Sequence, residues 1–581
     1  MNAPLTVNDR LERAASSADT GLRFIDRHEE ALWLPWTEIA ARACRAAGAL
    51  QGAGVEPGDR VALIEPTGPA FFDGFFGILL AGAVPVPTYP PVRLGRLDEY
   101  HRRTGGMLAD VRARLVLADR RVRRILGETV ARARPALGCR ILADLAPHPW
   151  RRVPVGPDDL ALVQFSSGTT MEPKPVALTH QAVMTQAVLL NGFWPDDGEV
   201  RHSGLSWLPL YHDMGLIGCA MAALERPATL TLLPPELFVS RPALWLRAIS
   251  RYRASVSPAP NFAYALAAAK IQDEELDGVD LSCWRVALNG AETVVPSTCR
   301  AFERRFSKFG FAAGAMTPVY GMSEAALAVT FSGIGRGPVV MRFEREALAR
   351  EGRAVPGDDG IEIVSLGQPL PGFALQVVNE RGDALPEGRE GVVRIQGPTL
   401  MRGYLDRPAL TARAFAGGWL DSGDRGFLWA GELYLTGRDK DMLLLRGRNH
   451  APQEVEQAAE SVPGARAGGA AAVSYLPEGG EGEVLVLFVE SARGVASDVR
   501  RQLGKACGEA VIARTGLSPA QVIVLEPGTL PRTSSGKLRR QEALARHLAG
   551  ELRPPEPVSW PRMLRAMARS RRAFTRSRAA E

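Results

Sequence analysis

From residue 37 to about residue 435, short apolar runs alternate with longer alanine-rich stretches. Val61-Ala-Leu-Ile-Glu65, Ala228-Thr-Leu-Thr-Leu-Leu233 and Arg285-Val-Ala-Leu288 have the length and composition of strands, and the stretches between them have helical length. Such alternation predicts parallel strands joined by crossover helices, an α/β fold class. Gly391-Val-Val-Arg-Ile-Gln-Gly-Pro398 and Gly431-Glu-Leu-Tyr-Leu-Thr-Gly437 read as a β-rich subdomain that closes this large unit. After Arg438 the pattern changes: a helix begins at Glu454–Glu460 and Glu483-Val-Leu-Val-Leu-Phe-Val-Glu490 is a clean strand, which predicts a small α+β domain. The expected organisation is a large domain over 1–438, a small domain over 439–550 and a basic tail over 551–581, with no internal repeat. The most apolar stretch, Ala70 to Val86, contains Asp73 and runs into prolines, so it predicts a buried helix and strand rather than a membrane span.

Composition narrows the class. A chain of 581 residues that is 46% hydrophobic buries a large core and splits into two or more domains. Its six cysteines form no C-x-x-C pair, which argues against structural zinc and against a disulfide framework and points to a reducing cytoplasm. The N-terminus lacks a basic-then-apolar signal. Net charge is only +6, yet residues 561–579 hold seven arginines and 102–140 are also arginine-rich. The plain expectation is a solvated or disordered tail; an acidic partner is the sharper one, and no nucleic-acid module supports a third.

The densest chemistry lies in Phe165-Ser-Ser-Gly-Thr-Thr-Met-Glu-Pro-Lys174. Ser166, Ser167, Thr169 and Thr170 can donate hydrogen bonds, Gly168 frees the backbone to turn its N–H groups onto an anion, and Lys174 adds a charge. The apolar run Leu160–Phe165 before it reads as a buried strand, so the loop sits at a strand's carboxyl end. It is not a Walker A loop, because the G-x-x-x-x-G-K-[ST] spacing is missing. By itself such a loop is equally a solvated turn.

Further segments resemble, in order, the motifs of the acyl-adenylating enzymes: Asn289-Gly290-Ala291-Glu292, Tyr320-Gly321-Met322-Ser323-Glu324, Asp421-Ser422-Gly423-Asp424, Gly437-Arg438 and Leu530-Pro-Arg-Thr-Ser-Ser-Gly-Lys537. Met171 and Pro175 depart from the family's glycines. The finer resemblance is to fatty acyl-AMP ligases, carried by Val84-Pro-Val-Pro-Thr-Tyr-Pro-Pro91, Ser206-Trp-Leu-Pro-Leu-Tyr-His-Asp-Met-Gly-Leu216 and Leu443–Glu456. Tyr320 and Gly367 lie 47 positions apart, and the extra segment, about 336–361, looks like that branch's insertion. Ser323 departs from the Ala common there and the Thr common in CoA ligases.

The resemblance implies ATP and Mg²⁺ as cofactors, a large adenylate-forming domain and a mobile α+β lid hinged at Lys440. It implies an adenine border at Asn289 to Glu292, an adenine-stacking Tyr320 flanked by Gly321 and Met322, and Ser323 on the α-phosphate. Glu324 is the implied metal ligand, Asp424 and Arg438 hold the ribose, and Lys537 is the catalytic cation. His212 gates the acyl pocket or touches the substrate carboxylate. Each has a plain rival: an exposed charge for Lys537, a helix-start charge for Glu324, a surface pair for Asp424 and Arg438, a core ring for Tyr320 and His212, an exposed linker for Lys440. The implied partner is a separate acyl carrier protein, since the chain shows no Asp-Ser-Leu phosphopantetheine motif of its own. A CoA synthetase sharing the adenylate step and an inactive homologue kept for binding are the rival readings.

Overall fold

The computed structural model describes residues 6–91, 94–166, 173–194, 202–358, 360–445, 448–477, 483–533, 536–556 and 558–579. The alternating runs of the large domain form two α/β sheets. One has four parallel strands in the order Val84–Pro87, Arg60–Ile64, Leu115–Ala118, Cys139–Arg140. The other has nine strands and runs parallel from Gly21–Ile25 through Leu230–Leu232, Gly204–Ser206, Val256–Pro260 and Val286–Gly290 to Met316–Gly321. Antiparallel strands close its edges, Ala31–Pro35 on one side and Ala328–Phe331 with Gln368–Pro369 on the other. The apolar run at Ala70 to Val86 is the expected helix, Pro69–Leu80, and strand, Val84–Pro87. Its one charge, Asp73, is neutralised by Arg42 at 2.6 Å.

Aromatic rings fill the centre of the large domain. Trp207 stacks on Phe238 with centroids 3.9 Å apart, and Trp245 meets Trp284 edge-on at 5.1 Å, the geometries that ring quadrupoles favour.

Leu160–Phe165 is a buried strand with the serine-rich loop at its carboxyl end, but it pairs antiparallel with Pro175–Thr179 and not within a parallel sheet. The reason is chain length: a parallel return needs a crossover of roughly a dozen residues or more, and this connection is shorter. The β-rich subdomain holds Ala374–Val378, Gly391–Gln396 and Trp419–Trp429, with Glu432–Arg438 folded back on the last, all antiparallel.

The small domain is a three-stranded sheet of Ala465–Tyr475, Val484–Ser491 and Gln521–Leu525. Its middle strand is apolar at nearly every position because both faces are covered. Leu485, Leu487 and Val489 face the helices Pro452–Glu460 and Ser497–Thr515, while Val486 and Phe488 face Arg540–Leu548.

The basic tail departs from the expected disorder: Trp560–Ala579 is a helix. Among its arginines, Met563, Ala566, Met567 and Phe574 recur at helical spacing, and this stripe packs on Leu97, Ile125 and Arg123 of the large domain. The extra segment is a hairpin of Val340–Phe343 and Ile361–Val364 with a helix, Arg345–Glu351, between its strands.

Candidate active site

One cleft of about 3050 Å³ runs between the large and small domains. At its floor, hairpin register sets Asp424 directly opposite Arg438. Arg438 Nε lies 2.9 Å from Asp424 Oδ1, and the buried Tyr320 donates its hydroxyl to Oδ2 at 2.7 Å. Burial, then Asp424, pushes the Tyr320 hydroxyl well above its ordinary range, so it stays a proton donor. The neighbouring Asp424 carboxylate raises Arg438. Each oxygen of Asp424 keeps a further lone-pair direction for an incoming hydroxyl.

Gly290 and Gly321 are where two strands come too close for a side chain. A Cβ on Gly290 would lie 2.8 Å from the Val319 carbonyl oxygen, and one on Gly321 would lie 1.8 Å from that of Leu327. Asn289 and Gly290 sit behind the cleft wall rather than in it. Asn289 is fully buried, and its amide reaches Asn261 Oδ1 at 3.4 Å. Ala291, in the left-handed region at φ 68°, turns the chain so that Glu292 enters the cleft. Glu292 accepts from the Phe262 N–H at 2.5 Å, and burial raises its carboxyl.

A second group combines Ser323 with His212 and Asp213. Ser323 Oγ donates to Asp213 Oδ2 at 2.6 Å, and His212 Nδ1 lies 2.9 Å from Oδ1. Although burial works the other way, the bonds from His212 and Ser323 hold the Asp213 carboxyl down at about 2. The imidazole is thereby pinned through Nδ1, and its buried Nε2 has no partner among the described residues. Asp213 was not singled out from sequence; its place between His212 and an apolar stretch was the available signal.

Glu324, in the turn Ser323–Ala325, is buried and accepts from the Tyr404 hydroxyl at 3.0 Å. Lys174 reaches that hydroxyl at 3.4 Å and lies 5.0 Å above the Tyr404 ring. Burial lowers the Lys174 ammonium, with Glu324 opposing. Tyr404, far away in sequence, is a second residue that sequence reasoning missed. Among the described residues no group of three or more His, Cys, Asp or Glu could hold a metal alone. The single carboxylate of Glu324 suits Mg²⁺ arriving with phosphates, since that ion keeps several waters and needs one or two protein oxygens.

The small domain places Lys537 in the same cleft. Its loop is closed by Thr533 N donating to Lys537 O at 2.8 Å and Lys537 N donating to Thr533 Oγ1 at 3.0 Å. Burial and then Arg438 lower the Lys537 ammonium, while Asp213, Glu292 and Asp424 oppose them. Lys440 is exposed in the turn Asp439–Asp441 that joins the domains. Beside it the buried Asp441 and Glu456 both bind Arg540, at 3.1 and 2.6 Å. Ser166 N donates to Lys174 O at 2.9 Å and closes the base of the serine-rich loop. Ser167, Gly168, Thr169 and Thr170 lie outside the described residues. Ser166, Lys174, His212, Tyr320, Gly321, Met322, Ser323, Glu324, Asp424, Arg438, Lys440 and Lys537 all line the cleft.

A family model described as AMP-binding enzyme matches residues 11–405. The chain belongs to this family. Three similar proteins refine the comparison. A Caulobacter vibrioides protein named, provisionally, an acyl-CoA synthetase is 36% identical over 546 residues, covering 92% of this chain and 94% of that one. A medium-chain-fatty-acid–[acyl-carrier-protein] ligase of Moorena producens is 32% identical over 522 residues, covering 86% and 87%. A solved structure from a study of the fatty acyl-adenylate ligases of E. coli and L. pneumophila superposes with a TM-score of 0.87 at 33% identity, covering 94% of this chain and 98% of that one. The fold of that solved structure therefore extends over 94% of this chain, beyond the residues that the family model matches.

Proposed function

We propose that the protein is a fatty acyl-AMP ligase. It activates a medium- or long-chain fatty acid with ATP to acyl-AMP, releases pyrophosphate, and passes the acyl group to the phosphopantetheine thiol of a separate acyl carrier protein. The observation that carries the reading is that Lys537 and Arg438 line one cleft together with Lys174 and Glu324.

In the reaction a carboxylate oxygen attacks the α-phosphorus and the bond to the bridging oxygen of the β-phosphate breaks, so pyrophosphate leaves with both bonding electrons. Both reactants are anions, and charge neutralisation is the first requirement. Lys537 and Arg438 hold the carboxylate and the α-phosphate together as charge builds on the equatorial oxygens. The pinned imidazole of His212 turns Nε2 toward the substrate carboxylate. Lys174 meets the outer phosphates. Glu324 would hold Mg²⁺, which when bound would supply charge neutralisation for the pyrophosphate. The apolar part of the lining, which includes Phe262, Leu266, Leu327 and Phe331, takes the acyl chain, each buried methylene contributing about 0.8 kcal/mol.

The transfer partner is read from the extra segment. Its helix meets the lid through the pairs Arg345–Glu454 and Glu346–Arg448, which brace the lid against the turn that a CoA thiol requires. The name of the Caulobacter relative favours a second reading, a CoA synthetase with the same first step. Product analysis by mass spectrometry decides between them. Acyl-AMP that persists with CoA and is consumed by a holo-carrier protein supports the ligase, whereas abundant acyl-CoA supports the synthetase. Deleting residues 336–361 is expected to raise acyl-CoA formation by about tenfold or more, while changing Arg345 alone moves it only a few-fold, because a half-exposed pair contributes about 0–1 kcal/mol.

A further inference from the structure

The tail helix Trp560–Ala579 carries two unlike faces. The inner one is fixed to the large domain: Ser570 Oγ accepts from the Gly127 N–H at 2.7 Å, and Phe574 lies 5.0 Å beneath the Arg123 guanidinium. The outer one begins with uncovered apolar side chains. Trp560 is 79% exposed, Leu564 58% and the preceding Val558 59%. Trp560 and Leu564 share one meridian of the helix, four residues apart, and Arg565, Arg571, Arg572 and Arg576 continue the same exposed side. Of the helix's described arginines, only Arg562 and Arg569 are in ion pairs. On the adjoining helix Arg120–Arg123 and just after it, Arg121 and Arg124 are also exposed and extend the cationic surface.

We propose that this face docks the protein on an anionic lipid surface. Cations alone would suit any polyanion, including an acidic protein. The cluster of Trp560, Leu564 and Val558 is what selects lipid, because a headgroup interface receives an indole ring and aliphatic side chains together with arginines. The inner face needs no partner, being already buried, so docking requires no unfolding. The tail helix packs on the helix Gly127–Ala133 and touches Leu97 and Asp98 at the start of the helix Leu97–Asp110, whose Tyr100, Arg103 and Met107 line the cleft. If the substrate is a fatty acid, which is the reading above, the surface sets the cleft wall beside the phase that holds it.

The test is sedimentation of the full-length protein with vesicles of equimolar phosphatidylglycerol and phosphatidylcholine, and with phosphatidylcholine alone. The protein is expected to pellet with the first, to remain in solution with the second, and to be released by salt. Each arginine contributes about fivefold in affinity at such a surface. R565E/R572E/R576E is thus expected to lose about a hundredfold or more. W560A/L564A is expected to lose about tenfold and keep the salt dependence. Both variants should retain pyrophosphate exchange with a short soluble acid, since neither touches the cleft. Vesicle binding is read without turnover, so loss of the ligase reading would leave it standing. Wild-type protein that stays in solution with anionic vesicles would overturn the proposal, as would charge-reversed protein that pellets like wild type. Charge-dependent capture of an acidic carrier protein without vesicle binding would also overturn it and assign the arginines to a protein partner.

Discussion

At the scale of single residues, the cleft works by setting charges against burial. Lys537 carries a cation whose pKa burial and Arg438 depress. Its protonated form is the useful one, so adenylation should fall on the alkaline side below the ordinary lysine value of about 10.4. Lys537→Ala should slow pyrophosphate release in a single turnover by about a hundred- to a thousandfold, while ATP binding, measured by calorimetry, changes little. Asp213 is the opposite case, with its carboxyl held at about 2 against an ordinary 3.8. A carboxylate lowered on folding stabilises the folded state above its unfolded value, and that contribution disappears as pH falls through the folded one. The stability advantage of wild type over Asp213→Asn in urea titrations should therefore be full above pH 4 and shrink toward pH 2. An advantage that grew with acidity would mean that Asp213 is not the anion of this cluster. Glu324, Lys537 and His212, which line the cleft, could be offered as candidates from sequence because their motifs are local. Tyr404 and Asp213 were not, because what recruits them is a fold that brings Tyr404 Oη to Glu324 and Ser323 Oγ to Asp213.

At the scale of elements, hairpins do most of the positioning. The pairing of Trp419–Trp429 with Glu432–Arg438 places Asp424 against Arg438, so two motifs fourteen residues apart in sequence become one site. The strand Met316–Gly321 ends where the chain folds back over Gly321. Gly321→Ala forces a methyl group into the Leu327 carbonyl, and the expected cost is about 1–3 kcal/mol, read as a lower urea midpoint at unchanged slope. Apolar periodicity predicted most of these strands. It found the buried strand Leu160–Phe165 but not its antiparallel pairing with Pro175–Thr179, because strand pattern alone does not give the direction of the partner; the length of the connection does. It also missed the tail helix, whose apolar stripe of Met563, Ala566, Met567 and Phe574 is masked by the arginines between them.

At the scale of the whole molecule, the lid is docked by charge. Glu542 of the lid helix Arg540–Leu548 meets Arg103 of the large domain at 2.7 Å, and Arg546 meets Glu99 at 2.8 Å. Against the upward push of burial, Arg539 and Arg103 hold Glu542 at about 2, below an ordinary 4.5. Its contribution to docking is therefore present above pH 4.5 and lost as pH falls toward 2. Glu542→Gln should weaken docking by about 1–3 kcal/mol, seen as faster hydrogen exchange on the helix Leu97–Asp110 with the lid's own sheet unchanged. Equal exchange in the two proteins would place the restraint elsewhere, with the pairs Arg345–Glu454 and Glu346–Arg448 as the alternative.

The sequence by itself determined the α/β class and the change of character after Arg438, and it offered Lys174, Glu324, Asp424, Arg438 and Lys537 as candidates that line the cleft. Each of these is written in short-range pattern: strand period, helix length, or a motif a few residues long. Only the tertiary structure decided that Tyr320 and Arg438 share Asp424, that Asp213 anchors both His212 and Ser323, and that Asn289 supports the wall from behind. It alone decided that the arginine-rich tail folds as a helix on the large domain. Apart from the neighbouring pair His212 and Asp213, these are contacts between residues from fourteen to several hundred positions apart, and they exist because burial leaves a polar group no stable alternative to the partner that folding brings beside it.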